Sequence, residues 1–485
     1  MPRDTGVFVF NPFAEGYLAQ GTAFTPVKHQ AMLAGDLANL PQFLCRPDDV
    51  VLLAKRPSVD FLESLQQAGF PPPEFVEFRE GRLDLAHQLA QRKLGGLRPW
   101  AWGPDSLKLL APLFAQVAEG PRSADRYFND GIARLYSKAW SAGFLRQVLA
   151  HGGTGDAAWL CSEQEVGTPV DTLTDALAAI AAIRGRGHHR VVVKTAYGLA
   201  GHNAIRLWEP ELLPAQRQWL IHTLSHGQLL VVEPWLERVL DFSIQLEMGP
   251  RGLDLCGYTG LVNDRKGQFL ANWAADDYTR SLPAAVAGLF SSRPDISTHL
   301  HRLYSEIFSL LAEELQRVGF VGPISLDAFV YRTPQGDCRL KPVVEINPRY
   351  TMGRLTVELM RHASPGTCGL FRLVNHAQAR AEGCADFSAY ARFLTTRLPL
   401  RIEAEPGAES VSSSARGTDV PSASSLDVPP DVSLPRAREI PLSIRHGAIC
   451  LNDPAQAQVC LATFEVGPTL TLPASLRGNA LQRFL

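Results

Sequence analysis

Residues 324–350, ISLDAFVYRTPQGDCRLKPVVEINPRY, carry acidic and amide side chains where an ordinary core hairpin would carry apolar ones. Val343, Val344 and Ile346 mark a buried strand, yet Glu345 and Asn347 interrupt it. Side chains alternate along a strand, so these two share a face. The TPQGD turn predicts a hairpin that folds Asp327 back opposite Val343, one diagonal step from Glu345. Two carboxylates and an amide oxygen then converge on one small volume. Like charges that close repel, and their burial without a partner is costly. A divalent cation with hard oxygen ligands relieves both problems. The plain alternative is a solvated sheet face.

Two further segments offer complementary chemistry. In residues 190–207, RVVVKTAYGLAGHNAIRL, a Val-rich strand delivers Lys194 to a loop containing Gly198 and Gly201. The chain has 47 basic residues, but only eight are lysines, which makes a lysine in an apolar strand conspicuous. Glycines let backbone N–H groups turn toward an anion, and a lysine beside them is a point charge suited to phosphate. A turn with an incidental lysine is the competing reading. In residues 229–248, LLVVEPWLERVLDFSIQLEM, a buried strand ends at Glu233 and Pro234 interrupts the ladder. Backbone donors and acceptors near Trp235 and Leu236 then become available at a crossover. An apolar strip of that kind suits an adenine edge, with Glu233 accepting the exocyclic amine and Asp241 the ribose hydroxyls. An ordinary strand terminus is the simpler account.

The elements that must hold these residues fall into an α+β pattern. Residues 1–120 alternate short strands (Gly6–Phe10, Val50–Ala54) with helical stretches such as Phe61–Ala68, a small α/β unit without a GxGxxG fingerprint. PWAWGPDS reads as the loop leading out of it. A larger α+β region spans 121–400, with helices expected over Asp171–Arg184, Pro214–Leu224 and Ile296–Val318 and strands over Arg190–Lys194, Leu229–Glu233 and Asp241–Met248. The stretch with Tyr258, Asn263, Arg265, Trp273, Asp276 and Asp277 reads as a solvent loop. Residues 401–436, dominated from 404 onward by Ser, Pro, Ala and Val, read as a flexible linker, and 437–485 as a small β-rich segment.

Composition narrows the function classes. A chain of 485 residues that is 46% hydrophobic buries a large core in several domains. A formal net charge of −2, without blocks of like charge, gives no support for nucleic-acid or membrane-surface binding. No apolar run suits a membrane span or a signal peptide. The eight cysteines are scattered, without a CxxC pair, as expected for reduced thiols in a cytoplasmic protein.

Taken in succession, a lysine before a Gly loop, a Glu at a strand end with a crossover, an Asp in a strand, and Glu-x-Asn-Pro-Arg at 345–349 resemble the ATP-grasp superfamily over residues 121–365. The resemblance implies an ATP-grasp fold over residues 121–400, with ATP held between two α+β subdomains, a lid subdomain at about 155–232, and a preceding pre-ATP-grasp domain. It implies Lys194 on the α/β-phosphates, the 198–203 loop (Gly198, Gly201) closing over them, and adenine at Glu233, Trp235 and Leu236. Asp241 would hold the ribose, and Asp327, Glu345 and Asn347 would hold Mg²⁺, with Mn²⁺ as a substitute. Lys138, in RLYSKAWSAGFLRQVL, matches a second phosphate lysine, and Arg349 matches the basic residue facing the transferred phosphate. The implied reaction is an ADP-forming carboxylate–amine ligation through an acyl phosphate, on a small-molecule acid and an amine such as an amino acid or peptide. A small-molecule kinase and a non-catalytic ATP-binding module are the alternatives, and homodimers are frequent among members. Two departures stand out: His202 occupies a position often taken by Gly or Arg, and Asp327 replaces a more usual Glu.

Overall fold

The computed structural model describes residues 5–470 except 22–23, 80–81, 84–87, 119–122, 152–157, 199–203, 265–266, 268, 280–285, 291–292, 294 and 405–441. The first sheet contains β1 (Thr5–Val9), β2 (Val50–Leu53), β3 (Glu74–Glu77) and β4 (Leu94–Pro99), ordered β3-β2-β1-β4. Every pairing in it is parallel. Parallel strands are covered on both faces, and the VVLL run of β2 is buried at all its positions. This is the α/β unit expected at the N-terminus.

A second sheet gathers β5 (Thr168–Val170), β6 (Val191–Thr195), β7 (Ala204–Leu207) and β8 (Leu230–Pro234) in the order β5-β8-β6-β7, all antiparallel. Helix Leu173–Gly185 starts where the Thr172 hydroxyl accepts from the Asp175 amide at 3.1 Å. Its Ala176, Ile180 and Ile183 pack with Leu220 of helix Pro214–Ser225 on Val191, Val193 and Val232.

The third sheet has nine strands: β9 (Glu237–Gly249), β10 (Gly252–Asn263), β11 (Phe269–Ala274), β12 (Gly322–Arg332), β13 (Cys338–Asn347), β14 (Cys368–Asn375), β15 (Arg401–Ala404), β16 (Leu442–Cys450) and β17 (Cys460–Gly467). Their order is β13-β12-β9-β10-β11-β14-β17-β16-β15. Helix Ile296–Val318 backs this sheet with Leu300, Leu303, Ile307, Leu311 and Leu315, and stops at Gly319 with φ 71°.

Three expectations change here. The C-terminal strands are not a separate β-rich piece: β17 pairs with β14 from Cys368↔Gly467 to Asn375↔Cys460. The supposed solvent loop around Tyr258 and Trp273 is the β10–β11 hairpin, and both rings are buried. Gly260 makes this possible, because a Cβ there would lie 1.7 Å from the Trp273 indole nitrogen. Residues 401–404 of the expected linker form β15, while 405–436 lie outside the described residues.

Residues 36–39 are stitched to residues 451–460. Asp36 accepts from the amides of Gln458, Val459 and Cys460 at 2.8, 2.7 and 2.9 Å. Asn39 donates to the Leu451 carbonyl at 2.8 Å. Among the described residues, no helix is long and apolar enough to cross a membrane.

Candidate active site

One face of three adjacent strands builds the acidic wall. Asp327 on β12 pairs directly with Glu345 on β13 and with Ser243 on β9. One step along, Ser325 pairs with Asn347 and Gln245, and on the other side Phe329 pairs with Asp241. Asp241, Ser243 and Gln245 therefore share a face, while Phe242, Ile244 and Leu246 point into the core. The hairpin is the expected one, closed by a turn in which the Gly336 amide donates to Thr333 O at 2.9 Å. Its register is not. Between Asp327↔Glu345 and Phe329↔Lys341 the register shifts, so Asp327 faces Glu345 and not Val343. Pro342 sits in that irregularity, and a residue without an N–H favours a break in the ladder.

The wall is partly neutralised from both sides. Lys138 opens helix Lys138–His151, and its Nζ donates to Glu345 Oε1 and to the Gly198 carbonyl, both at 2.7 Å. Asn347 Nδ2 donates to Asp327 Oδ2 at 3.2 Å, while its Oδ1 accepts from Arg349 Nη2 at 2.9 Å. Arg349 Nε donates to Glu15 at 2.7 Å. Burial, and then the Glu345 charge, push the Asp327 carboxyl up to about 6. Burial also acts to raise Glu345, but Lys138 outweighs it and holds that carboxyl below its ordinary value. One carboxylate is thus matched by a lysine, and its neighbour retains a strong preference for a proton or another cation. Hard oxygens in an undercompensated pair suit Mg²⁺ chemistry. No group of three or more His, Cys, Asp or Glu able to hold a metal occurs among the described residues, so any cation here draws on two carboxylates, the amide and its own water or phosphate ligands.

Lys194, on β6, is ion-paired with Glu233 at the end of β8. The second Glu233 oxygen accepts from Lys341 Nζ at 3.0 Å, and Lys341 also donates to the Glu165 carbonyl at 3.0 Å. Burial lowers Lys194, against the opposing pull of Glu233. Burial by itself would raise Glu233, but the two lysines hold it far below the ordinary range. Lys341 is 3% exposed, and no sequence feature assigned it to the site. Its signal was available: a lysine between Leu340 and Pro342 in a buried strand. Through it, the second sheet is tied to the nine-stranded sheet.

Three clefts run in succession along this wall. The first, about 350 Å³, is lined by Arg190, Trp235, Leu236, Arg238, Asp241 and Asn263. The second, about 160 Å³, is lined by Lys138, Lys194, Arg206, Asp241, Asp327 and Glu345. The third, about 310 Å³, opens on the other side of Asp327 and Glu345 and is lined also by Asn347 and Arg349. The expected Trp235, Leu236 and Asp241 meet in the first cleft, whereas Glu233 lines none of the three and stands behind Lys194. The Trp235 amide is not free either, since it donates to Arg190 O at 2.9 Å. Arg238, which sequence reasoning missed, pairs with Asp241 at 3.0 Å and lies over the Trp235 and Phe329 rings. Gly201 and His202 lie outside the described residues.

Comparison with protein-family models gives no match, and comparison with curated proteins gives none. Among solved structures, the chain is similar to an N5-carboxyaminoimidazole synthetase from Staphylococcus aureus complexed with ADP, at 13% identity over 78% of this chain and 85% of that one, with a TM-score of 0.42. It is similar to the biotin carboxylase domain of the Hydrogenobacter thermophilus 2-oxoglutarate carboxylase, in complex with MgADP, ADP and bicarbonate, at 13% identity over 79% and 77%, with a TM-score of 0.40. It is also similar to an L-amino acid ligase from Bacillus licheniformis, at 10% identity over 77% and 82%, with a TM-score of 0.39.

Proposed function

We propose that this chain is an ATP- and Mg²⁺-dependent ligase of the ATP-grasp type, which activates a small-molecule carboxylate as an acyl phosphate for attack by an amine and releases ADP and phosphate. The observation that carries this reading is the row of three clefts, with Asp327 and Glu345 shared by the second and third. Groups suited to a base and ribose line the first cleft, groups suited to phosphate line the second, and the third leaves room for an acceptor beyond the acidic wall.

Phosphoryl transfer asks mainly for positioning and charge neutralisation. Lys194, held by Glu233, and Lys138, held by Gly198 and Glu345, supply fixed positive charge around the second cleft. Asp327, Glu345 and Asn347 would hold the cation, which when bound neutralises charge on the phosphates. Arg349, oriented by Glu15 and Asn347, faces the acceptor cleft, where it is suited to the incoming carboxylate and the phosphate being moved. The second sheet, which supplies Lys194 to the phosphate cleft, helps keep water from an acyl phosphate.

The test is an ADP-release screen of acid and amine pairs, with and without Mg²⁺. Release that needs Mg²⁺, an acid and an amine is the expected outcome. A stable phosphorylated product formed without amine would identify a kinase, and no Mg²⁺-dependent ADP release or nucleotide binding would identify a protein with another role.

A further inference from the structure

The third cleft differs in character from the other two, and its lining restricts what the acceptor acid looks like. Away from the acidic wall it is apolar and comes from distant parts of the chain: Phe10 and Phe13 near the N-terminus, Leu33 and Ala34 on helix Lys28–Asp36, and Leu373 on β14. Among the described residues, Arg349 is its single cationic lining residue, and Asp327 and Glu345 are its only carboxylates. A second positive charge on the acceptor would therefore find no counter-ion at the apolar end, and a second negative charge would find no cation there.

Polar groups interrupt the apolar lining, and of Gln30, Asn272 and Thr351 only Asn272 is buried. Asn272 is 0% exposed, and among the described residues neither its Nδ2 nor its Oδ1 has a hydrogen-bond partner. Strand alternation alone would place Phe269 and Asn272 on opposite faces. The register of β10 with β11 shifts from Val262↔Ala271 to Asn263↔Phe269, and the bulge at Leu270 brings Phe269 and Asn272 to the same cleft. A buried amide with neither function satisfied is costly unless something completes it. The complement of a carboxamide is a neutral group that both donates and accepts.

We infer that the third cleft selects a monocarboxylic acid with an uncharged, apolar body and one neutral donor–acceptor group, an amide or a hydroxyl, which Asn272 binds. This rests on the ligase reading for the identity of the cleft as the acceptor site. The carboxylate lies toward Arg349, the apolar body lies against Phe10, Leu33 and Leu373, and the neutral group meets Asn272.

The test separates binding from turnover. Calorimetry on the full chain with Mg²⁺ and ADP compares N-acetylphenylalanine with N-acetylglycine and 3-phenylpropanoate, while ADP release with hydroxylamine as the amine follows turnover. N-acetylphenylalanine is expected to bind about tenfold or more tightly than either comparator. Asn272→Leu should abolish its advantage over 3-phenylpropanoate and keep its advantage over N-acetylglycine, with ADP affinity reporting an intact fold. Ala34→Trp, filling the apolar end, should weaken both phenyl acids and spare N-acetylglycine. Equal or tighter binding of N-acetylglycine, or an advantage over 3-phenylpropanoate that survives Asn272→Leu, overturns the inference. ADP release that favours small polar acids removes the inference and leaves the ligase reading; the expected binding order without ADP release in any pair removes the ligase reading instead.

Discussion

Two clusters of carboxylates and cations stand on the same nine-stranded sheet and are built for different ends. On β14 and β17, Arg372 is 3% exposed and bonds Glu465 at 3.1 Å and the Tyr390 hydroxyl at 3.2 Å. Glu382 lies 3.6 Å from Arg372 and 3.7 Å from Arg397, so two arginines meet two glutamates. None of the four lines any of the three clefts. On β12 and β13, Asp327 and Glu345 face each other with Lys138 paired to Glu345, and they open on the second and third clefts. Balanced and enclosed charge holds strands and helices together. Charge that is unbalanced and opens on a cleft is suited to binding.

That contrast can be broken by substitution. The largest effect is expected at the enclosed cluster, where Arg372→Met strands Glu465 and should cost about 3–5 kcal/mol of stability in urea denaturation. Nucleotide affinity of the folded fraction should be unchanged, and a loss there would merge the two clusters in function. Glu345→Gln should do the reverse, lowering Mg²⁺-dependent ADP release about 10²–10³-fold while the thermal midpoint stays near that of the parent. Unimpaired turnover in that variant would show the wall to be structural. Lys194→Ala should weaken ATP binding about tenfold to a hundredfold by the loss of a charged hydrogen bond, and an unchanged affinity moves the phosphate site elsewhere.

The smallest effect is on pH dependence. The Asp327 carboxyl sits at about 6 in the fold against an ordinary 3.8. Its contribution to stability is therefore complete at pH below about 4 and is lost as the pH rises through about 6. Metal-free Asp327→Asn should gain about 2 kcal/mol over the parent at pH 8 and little at pH 4.5. A parallel pair of urea curves at the two pH values would show that Asp327 is not strained by its neighbour.

The sequence disclosed the acidic wall because strand alternation is a local rule: Glu345 and Asn347 must share a face wherever the strand pairs. The register was hidden, since Pro342 shifts it by a bulge whose position depends on the partner strand. Lys341 escaped notice for a related reason, as its carboxylate partner Glu233 lies 108 residues away. The alternation of the last strands was readable, but their neighbour β14 was not, because register across a long connection is set by packing. The third cleft was the least legible part. Its walls come from many segments scattered between Phe10 and Leu373, and Asn272 shares it with Phe269 only through a bulge.

The bonds from Asp36 to the amides of residues 458–460 have a consequence in time as well as space. Helix Lys28–Asp36 supplies Leu33 and Ala34 to the third cleft, yet its last residue is anchored by residues 422 to 424 positions later in the chain. Contacts so distant along the chain form late. The first two clefts, whose linings lie between Lys138 and Glu345, can therefore assemble before the third cleft is complete.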